Sequence, residues 1–132
     1  DKIKDLYTKV KPEIIYIPFA HDVHTDHQLI SKAFQSTFKW FRYPFIKKVL
    51  MYETPSETEF NFMDQRKFMP NVFNNISDYE DKKINTMKIY DSEIDDFPFP
   101  RSEKNIRSLA AYRGSQSGYK SAEAFELIYE RS

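Results

Sequence analysis

The sequence predicts an α/β fold with a mostly parallel sheet and flanking helices, and two observations carry that reading. Ile14, Ile15, Tyr16, Ile17, Pro18 and Phe19 form a nearly continuous apolar run, the pattern of a strand buried on both faces of a parallel sheet. From Thr25 onward the apolar residues switch to spacings of three and four, which is a helical period. A second apolar run, Val49, Leu50, Met51 and Tyr52, then repeats the strand pattern.

The elements follow in order. Residues 2–9 read as the end of a helix that leads through Pro12 into the first strand. Thr25 followed by Gln28 is a capping-box pattern, with Thr25 as N-cap of a helix whose stripe is Ile30, Ala33, Phe34, Thr37, Phe38 and Phe41. The second strand ends at Glu53, and Pro55 forces the residue before it out of helical geometry, so the chain leaves as an extended loop. Residues 58–76 show no clean period and read as short strands and turns. Ser77 with Glu80 forms another capping box, opening a helix to about residue 92 with Ile84 and Met87 inward. The acidic, proline-bearing stretch 93–100 reads as a surface loop. A last helix is expected over 102–113, with Ile106, Leu109 and Ala110 inward and Gly114 just past its end. After Gly118 the end of the segment 122–129 reads as an edge strand.

Composition narrows the function classes. The chain has 132 residues, enough for one core, and residues 1–132 are read as a single domain. Twenty basic residues balance twenty acidic ones, so no overall charge excess draws the protein to nucleic acid or to anionic lipid. No stretch approaches the roughly 18 apolar residues of a membrane span, and a cytoplasmic setting fits the absence of cysteine. Without cysteine, any metal must be held by His, Asp or Glu. Aromatic residues make up 17% of the chain, and at helical or strand spacing they are assigned to packing.

The chemistry concentrates in one heptapeptide, His21-Asp22-Val23-His24-Thr25-Asp26-His27, which holds all three histidines. It lies where an apolar strand gives way to a helix, and open α/β sheets bind ligands at the carboxyl ends of their strands. The positive helix N-terminus favours an ionised Asp26 and a neutral His27, the form of imidazole that ligates a metal. Glu53, at the end of the second strand, is a candidate for the same crevice. The segment 113–118 carries both glycines but follows a helix and lacks the Lys-Ser/Thr of a phosphate loop, so it reads as a helix stop.

Four motifs in one order resemble a known family. They are His24-Thr25-Asp26-His27, the segment 52–60 beginning Tyr52-Glu53-Thr54-Pro55, the segment 71–77 beginning Asn71-Val72-Phe73, and Arg113-Gly114 followed by Gly118-Tyr119 and Ala122-Glu123-Ala124-Phe125. Together they resemble the carboxyl-terminal half of the PIG-L or LmbE-like family of zinc-dependent de-N-acetylases. The resemblance implies a Rossmann-like fold, an N-acetylated sugar or glycoconjugate precursor of the GlcNAc type as substrate, and Zn2+ as cofactor. It implies His27 as a metal ligand, His24 as the acid or oxyanion-stabilising group, and Asp26 as the residue that orients its histidine neighbour. Asp22, Glu53 and Arg113 become candidate substrate contacts, Asp22 standing where some relatives place a tyrosine. The family's His-Pro-Asp-Asp motif, source of two further ligands and the general base, has no counterpart in the 132 residues. The sequence is therefore expected to be an N-terminally truncated part of the domain, inactive alone, with an exposed sheet edge and a tendency to form homo-oligomers. A second reading stays open, a noncatalytic binding or assembly module of the same fold whose histidines are structural.

Overall fold

The computed structural model describes residues 2–63 and 65–132. Helix α1 (Lys2–Val10) leads into strand β1 (Ile14–Pro18), then helix α2 (Thr25–Thr37) and strand β2 (Lys48–Tyr52). Strand β3 (Val72–Asn75), helix α3 (Glu80–Met87), a 3-10 turn (Asp91–Glu93), helix α4 (Glu103–Ser117) and strand β4 (Ala122–Glu130) complete the order. The four strands form one sheet in the order β1-β2-β4-β3.

The sheet is mixed, which corrects the mostly parallel expectation. β1 and β2 are parallel, with Ile14 opposite Lys48 and Pro18 opposite Tyr52. β4 runs antiparallel to β2, and its register slips by one residue between Val49 and Leu50. The continuous apolar runs fit the parallel pairing of β1 and β2, but the segment 122–129 carries no such run, and side-chain alternation, with a period of two in either case, could not report the direction of β4. Nor is β4 an edge. It lies between β2 and β3 and buries Ala122, Ala124, Phe125 and Glu126. The edges are β1 and β3; Ile14 and Tyr16 of β1 are about half exposed, so only Ile17, Pro18 and the following Phe19 are buried as the apolar run suggested.

Two compact units share the chain, one made of residues up to 71 with Phe125–Ser132 and the other of Val72–Ala124. In the first, Tyr7 of α1, Ile17, Phe34 of α2, Tyr43, Ile46 and Val49 form the core. Tyr7 meets Tyr43 edge-on at 5.0 Å and Phe34 at 6.5 Å, geometries that the ring quadrupoles favour. The α2 stripe is narrower than expected. The helix stops at Thr37, and Ile30 and Phe41 are exposed, while Ser31 takes a buried place because its hydroxyl donates to the Pro18 carbonyl at 2.7 Å. Glu126, buried on β4, is held by the Arg66 guanidinium at 2.7 Å and by the Met69 backbone N–H, so its charge is paired.

In the second unit, α3 and α4 pack together and α4 also packs on β3. The Ser77–Glu80 capping box does not form. Ser77 donates to the Asn75 side chain instead, and α3 starts at Glu80, which accepts from Arg107 at 2.8 Å. Arg107 also reaches Asp81 and Glu103; Arg107 holds the Glu80 carboxyl below the ordinary glutamate value, and Lys88, then Arg107, hold that of Glu103 there. Helix α4 begins as expected at the Ser102 cap, whose hydroxyl accepts from the Asn105 N–H at 3.2 Å. It runs one turn further than expected, ending at Gly118, a left-handed C-cap with φ of 79°. Gly114 therefore lies inside the helix, not beyond it.

Candidate active site at the end of β1

β1 delivers the histidine segment to the start of α2, and the helix N-terminus sorts it. The cap is His24, not Thr25: its Nδ1 accepts from the Asp26 backbone N–H at 3.2 Å. An imidazole that accepts at Nδ1 carries its neutral-state proton on Nε2. His24 thus offers an N–H donor from its outer edge. The helix starts one residue earlier than the capping box placed it: the Gln28 N–H that a Thr25 hydroxyl was expected to satisfy bonds the His24 carbonyl at 3.3 Å, and the His24 ring caps the Asp26 N–H. Gln28, freed from that role, donates to the Asp22 backbone carbonyl at 2.7 Å.

His27 has the opposite polarity. Its Nδ1 lies 2.8 Å from Asp22 Oδ2, and the carboxylate can only accept, so Nδ1 is the protonated nitrogen. Nε2 is left with its lone pair. A histidine backed by a carboxylate through Nδ1 is the arrangement that fixes tautomer and ring orientation for metal binding. The two rings stack at 5.0 Å with 25° between planes, one with a donor Nε2 and the other with an acceptor Nε2.

Asp22 anchors this pair. It is 0% exposed, and its second oxygen, Oδ1, accepts from the Thr58 hydroxyl at 2.6 Å. Thr58 Oγ1 in turn accepts from the Thr54 N–H at 2.8 Å, and the Glu57 carbonyl accepts from the Val23 N–H. The loop after β2 is thereby tied to the histidine segment through the Thr58 hydroxyl and the Glu57 carbonyl. Both Asp22 oxygens are engaged inside the protein, one by His27 and one by Thr58. Asp26, expected to orient its neighbour, instead contributes its backbone N–H to His24, and its side chain is exposed. Glu53 follows Tyr52, the register partner of Pro18, at the same end of the sheet. Arg113 belongs to α4 in the other compact unit, where it donates to Gln116 at 2.9 Å and lies over the Tyr112 ring. His21 is exposed, with its ring 5.5 Å from that of Phe19.

Burial pushes the Asp22 carboxyl above its ordinary value of 3.8, and the hydrogen bonds from Thr58 and His27 offset this only in part. A carboxyl raised on folding binds its proton more tightly in the folded state. Its contribution favours folding below the unfolded pKa and is lost as pH climbs through the folded one. The urea midpoint of the wild type, taken relative to Asp22→Asn, is therefore expected to fall as pH rises from below 3.8. A difference that stays flat or rises over that range contradicts the burial argument.

The donor set falls short of a complete metal site. His27 supplies one nitrogen with its carboxylate backing, but among the described residues no three His, Cys, Asp or Glu side chains converge on a common point. A catalytic zinc requires three protein ligands and an open position. The described residues alone do not make such a site.

No family model matches the chain, and no curated protein matches it by sequence. Solved structures do match. A conserved protein from Thermus thermophilus superposes with a TM-score of 0.72 at 17% identity, over 99% of this chain and 58% of the other. The N,N'-diacetylchitobiose deacetylase from Pyrococcus horikoshii superposes with a TM-score of 0.67 at 18% identity, over 97% of this chain and 50% of the other. The chain shares the fold of these proteins and spans 58% and 50% of their lengths.

Proposed function

We propose that this chain is part of a zinc-dependent hydrolase that removes the acetyl group from an N-acetylated sugar of the GlcNAc type. The observation that carries this reading is the pair of stacked imidazoles with opposite outward polarity, His27 offering a lone pair and His24 an N–H. The fold shared with a diacetylchitobiose deacetylase supports it. So does the four-motif resemblance to the PIG-L or LmbE-like family.

The roles are those that the resemblance implies, fitted to the geometry. His27 is one metal ligand, and Asp22, with Thr58 behind it, holds the ring so that Nε2 faces outward. His24 presents its Nε2–H toward the negative charge that develops on an amide carbonyl under attack, as an oxyanion-stabilising donor or proton donor. Asp26 acts through the His24 cap. Zinc, when bound, would polarise the amide carbonyl and acidify a water. Its other ligands and the general base lie in this proposal outside the described residues, in the part of the fold that the longer neighbours possess. Glu53 and Arg113 stay as candidate substrate contacts, with Asp22 reassigned to positioning.

The intact protein, loaded with zinc, is expected to release acetate from N-acetylglucosamine compounds and to lose that activity on chelation. A noncatalytic module of the same fold releases none, and that outcome, with stoichiometric zinc present, would retire the enzyme reading.

A further inference from the structure

An independent feature lies at the other end of α2. From His27 to Tyr52 the chain has five basic residues, Lys32, Lys39, Arg42, Lys47 and Lys48, and no acidic one. The overall neutrality hides this local excess. Two of the five are paired, Lys47 with Glu13 and Lys48 with Glu130, which accounts for those two carboxylates. Arg131 adds another cation beside the loop, donating to the Pro44 carbonyl at 3.1 Å.

Within this stretch the turn after α2 sorts its aromatic residues by face. Tyr43 and Ile46 are buried in the core, and the backbone N–H groups of Arg42 and Tyr43 both donate to the Lys39 carbonyl, fixing the turn. Trp40 and Phe41 are left outside, 60% and 61% exposed, in edge-on contact at 5.8 Å. The Arg42 guanidinium lies over the Phe41 ring at 6.0 Å. Two large rings held outward on a braced turn and flanked by Lys39 and Arg42 combine an apolar wedge with positive charge. Tryptophan favours the headgroup level of a bilayer, where its ring is half wet, and juxtaposed cations are drawn to anionic headgroups.

We propose that the turn at residues 39–42 docks on an anionic phospholipid surface, with Trp40 and Phe41 entering the headgroup region. This is peripheral contact, and among the described residues no helix is long and apolar enough to cross a membrane. The histidine site sits at the opposite end of α2, so docking leaves it clear of the lipid.

Trp40 is the only tryptophan of the 132 residues, so its fluorescence reads the event directly. With vesicles of equimolar phosphatidylserine and phosphatidylcholine, its emission is expected to shift to the blue and become shielded from acrylamide. High salt reverses the change, and phosphatidylcholine alone does not produce it. The double variant Lys39→Glu, Arg42→Glu keeps the reporter and is expected to bind about tenfold more weakly or worse. Unchanged emission with anionic vesicles overturns the proposal, as does an equal response to neutral ones. A free protein whose Trp40 is already blue-shifted and shielded overturns it too. Shielding that depends on protein concentration then assigns the face to a second copy, and shielding that does not assigns it to another part of the chain. The wild-type salt and lipid dependence decides the matter even where the double variant does not fold.

Discussion

In the intact protein, His27→Ala is expected to remove stoichiometric zinc and to bring acetate release down to the background rate. The expectation rests on where Nε2 points. Asp22 takes the Nδ1 proton at 2.8 Å, so the lone pair faces outward and cannot be replaced by a neighbouring group. His24 cannot substitute, because its own Nδ1 is committed to the Asp26 N–H. The companion variants separate the roles. Asp22→Ala leaves the His27 ring without its backing and is expected to weaken zinc binding by about 10–100-fold. His24→Ala is expected to keep the metal and lower the rate by about 10²–10³-fold, the usual cost of one oxyanion donor. Metal content after dialysis and single-turnover acetate release measure both effects. Full metal content in a folded His27→Ala protein would falsify the ligand assignment, whatever its activity.

The second large effect is on stability and belongs to Gly114. A Cβ built at this position would lie 2.6 Å from the Tyr119 carbonyl oxygen and 2.9 Å from that of Lys120. Both are backbone atoms of the turn that carries α4 into β4, and neither can rotate away. Alanine in place of glycine in a helix interior gains about 1 kcal/mol of propensity. Overpacking against fixed atoms costs up to about 3 kcal/mol, so the clash wins and Gly114→Ala is expected to destabilise by about 2 kcal/mol. Gly118→Ala makes a control of different cause. Nothing lies within 4 Å of its Cβ, but φ of 79° strains any L residue by about 1–2 kcal/mol. Urea unfolding of the two variants should rank Gly114→Ala as the weaker protein or its equal. A Gly114→Ala protein more stable than wild type would show that the 119–120 turn yields.

Parts of this molecule were legible in its residues. The apolar run at Ile14, the helical spacing after Thr25, the second run ending at Tyr52 and the helical spacing of Ile106, Leu109 and Ala110 each depend on local rules, and the corresponding elements form. The concentration of histidines at a strand-to-helix junction was equally local, since chain order alone puts them at the end of β1. Elsewhere one local rule met another. Thr25 and Ser77 both had capping-box spacing, yet the Gln28 N–H bonds the His24 carbonyl, the His24 ring caps the helix, and Ser77 donates to the Asn75 side chain. The glycine pair was read as a stop at 114, but a close backbone approach demanded glycine there, and the left-handed turn fell to 118.

The sequence by itself determined which residue types could carry chemistry and where the chain would pass from strand to helix, because periodicity and capping act within a few residues. Only the tertiary structure decided the direction of β4, its central place, and that the Asp22 carboxylate is the one against His27. Thr58, 36 residues away, and the surrounding burial fix the Asp22 carboxylate against His27. Which carboxylate backs an imidazole depends on distance in space and on exclusion of water, and neither quantity is written in the spacing of letters along a chain.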